Sequence, residues 1–140
     1  MKRRILSFTS LSILALFVLA TRTAAQPAES IKGPKGNQPV ILTVDYGDGA
    51  QKRFPSIPWK KSMTVLEAMR WADKHPRGID FAERGRGETT LVTQIDDLKN
   101  QGGSQKNWIY RVNGKMGDRS CAVFPIEPGD TILWKFQRYQ

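Results

Sequence analysis

The sequence predicts a small α+β domain, with one helix laid across a mixed sheet of five to six strands. Three observations carry that prediction. Apolar and polar residues alternate through VILTVDY near the start of the domain and TILWKF at its end, the period of a strand with one buried face. A single strong helix start, Thr64-Val65-Leu66-Glu67, opens the clearest stretch of helical periodicity. The strand-like run NWIYRV leads directly into Asn113-Gly114, a pair that tolerates the positive φ of a tight hairpin.

Residues 1–25 precede the domain and have a different character. Lys2, Arg3 and Arg4 form a basic start, residues 5–20 are apolar but softened by Ser7, Thr9, Ser10 and Ser12, and small residues follow. This is the layout of a secretory signal peptide, cut after Ala25 or after Ala20, with an uncleaved anchor as the alternative. The apolar run is short for a bilayer span, so no stable membrane span is expected after cleavage. Removing residues 1–25 takes away four of the 22 Lys and Arg and no carboxylate, so the net charge of +9 becomes +5. Export and this modest charge both argue against nucleic acid as the partner. Residues 26–39, QPAESIKGPKGNQP, read as a flexible linker, and residues 40–138 as the domain.

Within the domain, Val40, Leu42, Val44 and Tyr46 share one strand face, while Ile41, Thr43 and Asp45 share the other. Gly47-Asp48-Gly49 turns the chain into a second strand, about residues 51–57, which Pro55 and Pro58 restrict to a sheet edge. The helix is expected from Val65 to about His75, stopped by Pro76. Val65, Ala68, Met69 and Ala72 should face the sheet. Trp71 falls on the opposite side, either covered by the following Gly-rich loop or exposed for a partner. Residues 78–88, GIDFAERGRGE, read as a mobile basic loop without the Lys-Ser/Thr ending of a phosphate-binding loop. Residues 91–98 read as a strand and 101–105 as a loop. In the next strand Trp108, Tyr110 and Val112 point to one side, and Ile109, Arg111 and Asn113 to the other. Residues 120–126 are expected to return as a strand, Glu127-Pro128-Gly129-Asp130 to turn, and residues 131–136 to close the sheet with Ile132, Trp134 and Phe136 inward.

The residue inventory points away from catalysis. Cys121 is the only cysteine, so no disulfide forms within the chain, and its apolar setting in CAVF predicts a buried thiol. With His75 as the only histidine, no Cys/His metal site is expected. Asp96 and Asp97, adjacent in a strand, would point to opposite faces and cannot converge as an acid/base pair. The expected role is therefore non-enzymatic binding without a cofactor of its own. Trp59, Trp71, Trp108, Tyr110, Arg111 and Asn113 are the candidates for contacting a small ligand. Lys60, Lys61, Arg84 and Arg86 are the candidates for an anionic partner such as an acidic glycan or a phospholipid head. The plainer reading makes Trp108 and Trp134 core residues and the cations a solvated surface.

The string WIYRVNG, then CAVFPIEPGDTILWKF, together with LTVDYGDG, TVLEA and TQIDDL, resembles the transcobalamin C-terminal-like family of bacterial extracellular domains. The likeness runs over residues 40–136. It implies a β-grasp-like fold and a secreted or periplasmic protein. In eukaryotic cobalamin carriers the similar domain closes over the corrinoid, a separate helical barrel holds its other side, and the strand corresponding to Trp108 to Val112 belongs to the ligand-facing region. No helical barrel is present here, so the resemblance implies cobalamin binding only with a partner domain. It leaves two roles open: a module for a small, cofactor-like ligand, or a protein or cell-surface interaction module pairing through a sheet edge or basic patch.

Overall fold

In the computed structural model, residues 35–139 are described; the expected signal peptide and most of the linker lie outside them. After a 3-10 turn at Lys35–Asn37, eight strands and one α-helix follow in these residues. They are β1 (Val40–Asp45), β2 (Gln51–Ile57), α1 (Val65–Asp73), β3 (Phe81–Arg84), β4 (Leu91–Ile95), β5 (Leu98–Lys99), β6 (Lys106–Val112), β7 (Lys115–Met116) and β8 (Thr131–Arg138). The main sheet has the order β2-β1-β8-β6-β7, and a smaller sheet has the order β3-β4-β5. The first and last strands, β1 and β8, pair in parallel at the centre; the other pairs are antiparallel. The predicted α+β class with one helix on a mixed sheet is therefore the observed one.

Register places the alternating residues where their periodicity predicts. Leu42 lies beside Ile132 and Val44 beside Trp134, while β6 brings Val112, Tyr110 and Trp108 against Ile132, Trp134 and Phe136. All of these are buried on one face of the main sheet. Burying each indole stabilises the domain by roughly 2–3 kcal/mol. The helix covers one part of that face through Val65, Ala68, Met69 and Ala72, each fully buried, and Leu66 joins them. The small sheet contributes Val92 and Ile95 to the same core. β2 is an edge strand, as its prolines require.

The capping box is present: Thr64 N–H donates to Glu67 Oε2 at 2.8 Å, and Glu67 N–H donates to Thr64 Oγ1 at 3.4 Å. The first two amides of α1 have another use. Val65 N–H donates to Phe124 O at 3.1 Å and Leu66 N–H to Cys121 O at 3.0 Å. This explains why residues 120–126 are not the expected strand. They form a turn whose carbonyls satisfy the helix start, leaving only a single bridge between Thr64 and Pro125.

Three further expectations need correction. The stretch read as a basic loop, residues 78–88, contains β3, because Phe81 to Arg84 pair with β4. The stretch read as one strand over residues 91–98 is a hairpin, bent at Asp96, whose φ of 46° allows a tight turn. Trp71, placed on the helix side away from the sheet, has its aromatic partners on β2 and at the helix end. It packs against Phe54 of β2 and against His75, with ring centroids 6.4 and 5.4 Å away.

Replacing Thr64 by Ala removes one acceptor from the helix start while the carbonyls of Phe124 and Cys121 remain. A loss of about 1 kcal/mol is expected in urea unfolding, with unchanged m-value.

Candidate functional site

The two sheets face each other without joining. Along β6, the residues whose backbone groups point away from β8 are Lys106, Trp108, Tyr110 and Val112, and Lys106 exchanges both of its groups with Gln101. Val112 pairs with Lys115 through the Asn113-Gly114 hairpin, where φ is 51° and 80°. Tyr110 O accepts from Gly117 N–H at 3.1 Å, so the short β7 side ends there. On the facing strand β4, Val92 O and Thr93 O accept from Asn100.

Asn100 ties the sheets together. Its Nδ2 donates to Val92 O at 2.9 Å, and its Oδ1 accepts from Trp108 N–H at 2.8 Å. Trp108 Nε1 donates to Leu98 O at 2.8 Å, a second tie. A third lies at the hairpin bend. Asp96 accepts from Tyr46 Oη, from Lys52 Nζ at 3.1 Å and from Asp80 N–H at 3.0 Å. Burial alone would raise the Asp96 pKa, but these hydrogen bonds and the Lys52 charge outweigh it and hold the carboxyl below its ordinary value. The same burial, reinforced by Asp96, pushes the Tyr46 phenol up. Asp96 is thus committed to the fold, and the strand geometry assumed for Asp96 and Asp97 is replaced by a turn.

Beside the Asn100 tie lies a cleft of about 500 Å³, lined by residues of β4 and β6, of the 100–103 loop and of the Gly117–Cys121 segment. Leu91 and Tyr139, 43% and 72% exposed, are the exposed large apolar side chains of the described residues, and both line it. Tyr110 and Trp134 form its floor, their ring centroids 5.3 Å apart. Trp134 Nε1 is buried and has no hydrogen-bond partner among the described residues. Tyr110 Oη donates to Arg119 O at 2.6 Å, and Gly117 lies so close to that ring that an added Cβ would sit 2.0 Å from it.

The candidate residues fall into separate places. Trp108 and Tyr110 line the cleft, as does Arg84. Arg111 points to the other sheet face and, with the Gln137 amide turned to present Oε1, donates to it at 3.1 and 3.3 Å. Asn113 is occupied by the fold: Nδ2 donates to Asp130 Oδ1 at 2.9 Å and Oδ1 accepts from Thr131 N–H at 3.0 Å. Trp59 is half-buried and donates from Nε1 to Ile126 O at 2.7 Å. Trp71 sits across the domain with Phe54 and His75. Lys60 and Lys61 are exposed just ahead of α1, and Arg86 lines a separate polar hollow with Glu67, Arg70 and Glu83. Asn100, Leu91 and Tyr139 were not legible as site residues, because a loop Asn and two isolated apolar residues carry no pattern.

Cys121 is 3% exposed at the cleft's rear. Burial, with Glu83 adding, pushes its thiol up to about 11. Burial, with Cys121 and Asp118 adding, pushes the Tyr110 phenol up to about 12. No group of three or more His, Cys, Asp or Glu suited to a metal ion occurs among the described residues, and none of their helices is long and apolar enough to cross a membrane.

Residues 63–138 match the family described as a domain of unknown function, DUF4430. The chain belongs to the DUF4430 family. The matched span contains α1, the small sheet, β6 to β8 and every residue of the cleft but Tyr139. No curated protein matches the chain. Among solved structures, it is similar to haptocorrin in complex with Cbi, at TM-score 0.63 and 15% identity, over 77% of this chain and 27% of that one. It is also similar to a metal-binding-protein candidate from Ruminococcus gnavus ATCC 29149, at TM-score 0.56 and 14% identity, over 74% of this chain and 99% of that one. At these identities the likeness is one of fold. It agrees with the transcobalamin C-terminal-like resemblance of this DUF4430 domain.

Two outcomes are expected. Asn100→Ala leaves Trp108 N–H and Val92 O without their bridge, so urea unfolding should show a loss of about 2 kcal/mol. Amide exchange should quicken in β4 and β5 more than in β1 and β8. The second concerns alkaline pH. Cys121 and Tyr110 keep their protons longer when folded than their ordinary values of 9.0 and 10.0 allow. Their contribution is therefore complete below pH 9 and is lost as pH rises to about 12. The Tm should fall across that window, and Cys121→Ala should move the onset toward the Tyr110 range.

Proposed function

We propose that this chain is an exported, non-enzymatic binding domain whose ligand occupies the cleft between the two sheets. The observation that carries the reading is the cleft's composition. The exposed Leu91 and Tyr139 line it together with Trp134, whose buried N–H lacks an acceptor among the described residues. A concave, mainly apolar site with a few unsatisfied polar groups is the usual form of a ligand seat. Arg111, Asn113, Trp59 and Trp71, expected as ligand contacts from sequence, have no part in it.

The likeness to haptocorrin in complex with Cbi supports a carrier-type role, with a small, cofactor-like molecule as one ligand class. The chain spans about a quarter of haptocorrin's length, so a corrinoid seated here needs a second domain to cover its other side. The apolar run and basic start of residues 1–25 support export to a secreted or periplasmic location, ahead of a linker and the domain.

The test is a thermal-shift series on the exported chain with corrinoids, haem and acidic glycans, repeated on Leu91→Asp. A ligand held at about 100 times its Kd adds about 2.7 kcal/mol, a rise of several degrees for a domain this size. The rise should vanish in Leu91→Asp. A ligand whose effect survives that substitution is bound elsewhere and removes the cleft from consideration.

A further inference from the structure

We propose that the cleft receives an extended, acidic segment of a partner polypeptide, laid parallel to β6. This names a ligand class for the cleft and rests on the reading above. It starts from the backbone. Of the β6 groups that point away from β8, those of Lys106 bond to Gln101, Trp108 N–H donates to Asn100, Tyr110 O accepts from Gly117, and Val112 pairs with Lys115. Trp108 C=O and Tyr110 N–H remain: no loop or side-chain hydrogen bond reaches either among the described residues, and on that side β6 has a ladder only with β7, at Arg111 and Val112.

These two groups flank Ile109, one an acceptor and one a donor. In a parallel ladder a single residue opposite Ile109 donates its N–H to the first and accepts at its C=O from the second. The groups already occupied, Trp108 N–H and Tyr110 C=O, are those an antiparallel neighbour would need. A carboxylate or ether ligand offers no donor for Trp108 C=O, so it satisfies only half of the pair. An extended peptide satisfies both, as in other cases of strand addition to an open sheet edge.

Side chains supply the rest of the recognition. Leu91 and Tyr139 lie exposed on the cleft walls for an aliphatic residue. The cleft continues into a second groove that shares Arg84, Leu91, Asn100, Gly102 and Asn107 with it. Arg84, Lys99 and Arg119 line the two grooves, and no Asp or Glu does. Arg119 is held by Asp118 at 2.8 Å, while Arg84 and Lys99 have no ion-pair partner among the described residues. That balance complements a negatively charged strand and repels a positive one.

The test titrates the 15N-labelled exported chain with acetyl-Glu-Val-Glu-Val-Glu-amide, following the Tyr110 backbone amide by NMR. Two comparison peptides are used: one methylated on all five residue nitrogens, and the Lys-Val-Lys-Val-Lys analogue. A saturable shift of the Tyr110 amide is expected, with at least tenfold weaker binding for both comparison peptides. Arg84→Glu, at an exposed position whose spectrum should stay folded, should weaken binding by a similar factor. A static Tyr110 amide, or equal binding of the methylated peptide, overturns the proposal. If corrinoid or haem then fills the cleft in the thermal-shift series, the peptide inference falls alone; if nothing does, both fall together.

Discussion

One side-chain amide sets the distance between the two sheets. Asn100 uses its donor on β4 and its acceptor on β6, so the strands are held one amide apart instead of in a ladder. Had β4 and β6 paired directly, backbone groups would have satisfied each other and the main sheet would have continued through the small one. With Asn100 as spacer, the edge of β6 stays open for two residues and apolar walls stand on either side of it. The ties from Trp108 Nε1 to Leu98 O, and from Tyr46 and Lys52 to Asp96, keep the small sheet from swinging shut or away. A half-buried amide with both ends used is strongly oriented, because either end left unpaired costs more than a surface hydrogen bond contributes.

The aromatic floor follows from the same arrangement. Tyr110 is pinned at its hydroxyl by Arg119 O and at its ring by the closeness of Gly117, so it does not need the occupant to hold it in place. Its neighbour Trp134 is fixed by packing alone, since its indole N–H finds no acceptor among the described residues. Packing that orders a side chain while leaving its polar group unanswered is what a preorganised site looks like: the ordering cost is met on folding and not on binding.

Much of the fold was legible in sequence because it depends on local periodicity. VILTVD and TILWKF alternate, and both became central strands; Thr64 and Glu67 stand three apart, and the capping box formed. What failed were stretches whose structure is decided by distant partners. Phe81 to Arg84 have little pattern of their own and become a strand only because β4 lies beside them. Residues 120–126 are apolar enough for a strand but spend their carbonyls on the start of α1, some 55 residues earlier in the chain. The site divided the same way. Trp108 and Tyr110 announce themselves as large aromatics, whereas Asn100 acquires its importance only when two sheets meet across it.

The two edges of the main sheet have been treated differently, and the contrast bears on function. At the β2 edge, Pro55 removes a backbone donor, Pro58 follows the strand, and Lys52 and Arg53 add charge, so a second chain cannot extend the ladder there. At the β6 edge no proline interrupts Lys106 to Val112, and β7 covers only the far end. A domain that blunts one edge and leaves a two-group gap in the other keeps only a short template. The gap lies inside a walled cleft, which admits one extended segment and excludes a whole sheet. Selectivity then comes from the walls: the aliphatic contact with Leu91 and Tyr139 and the uncompensated charges of Arg84 and Lys99 decide which segment stays.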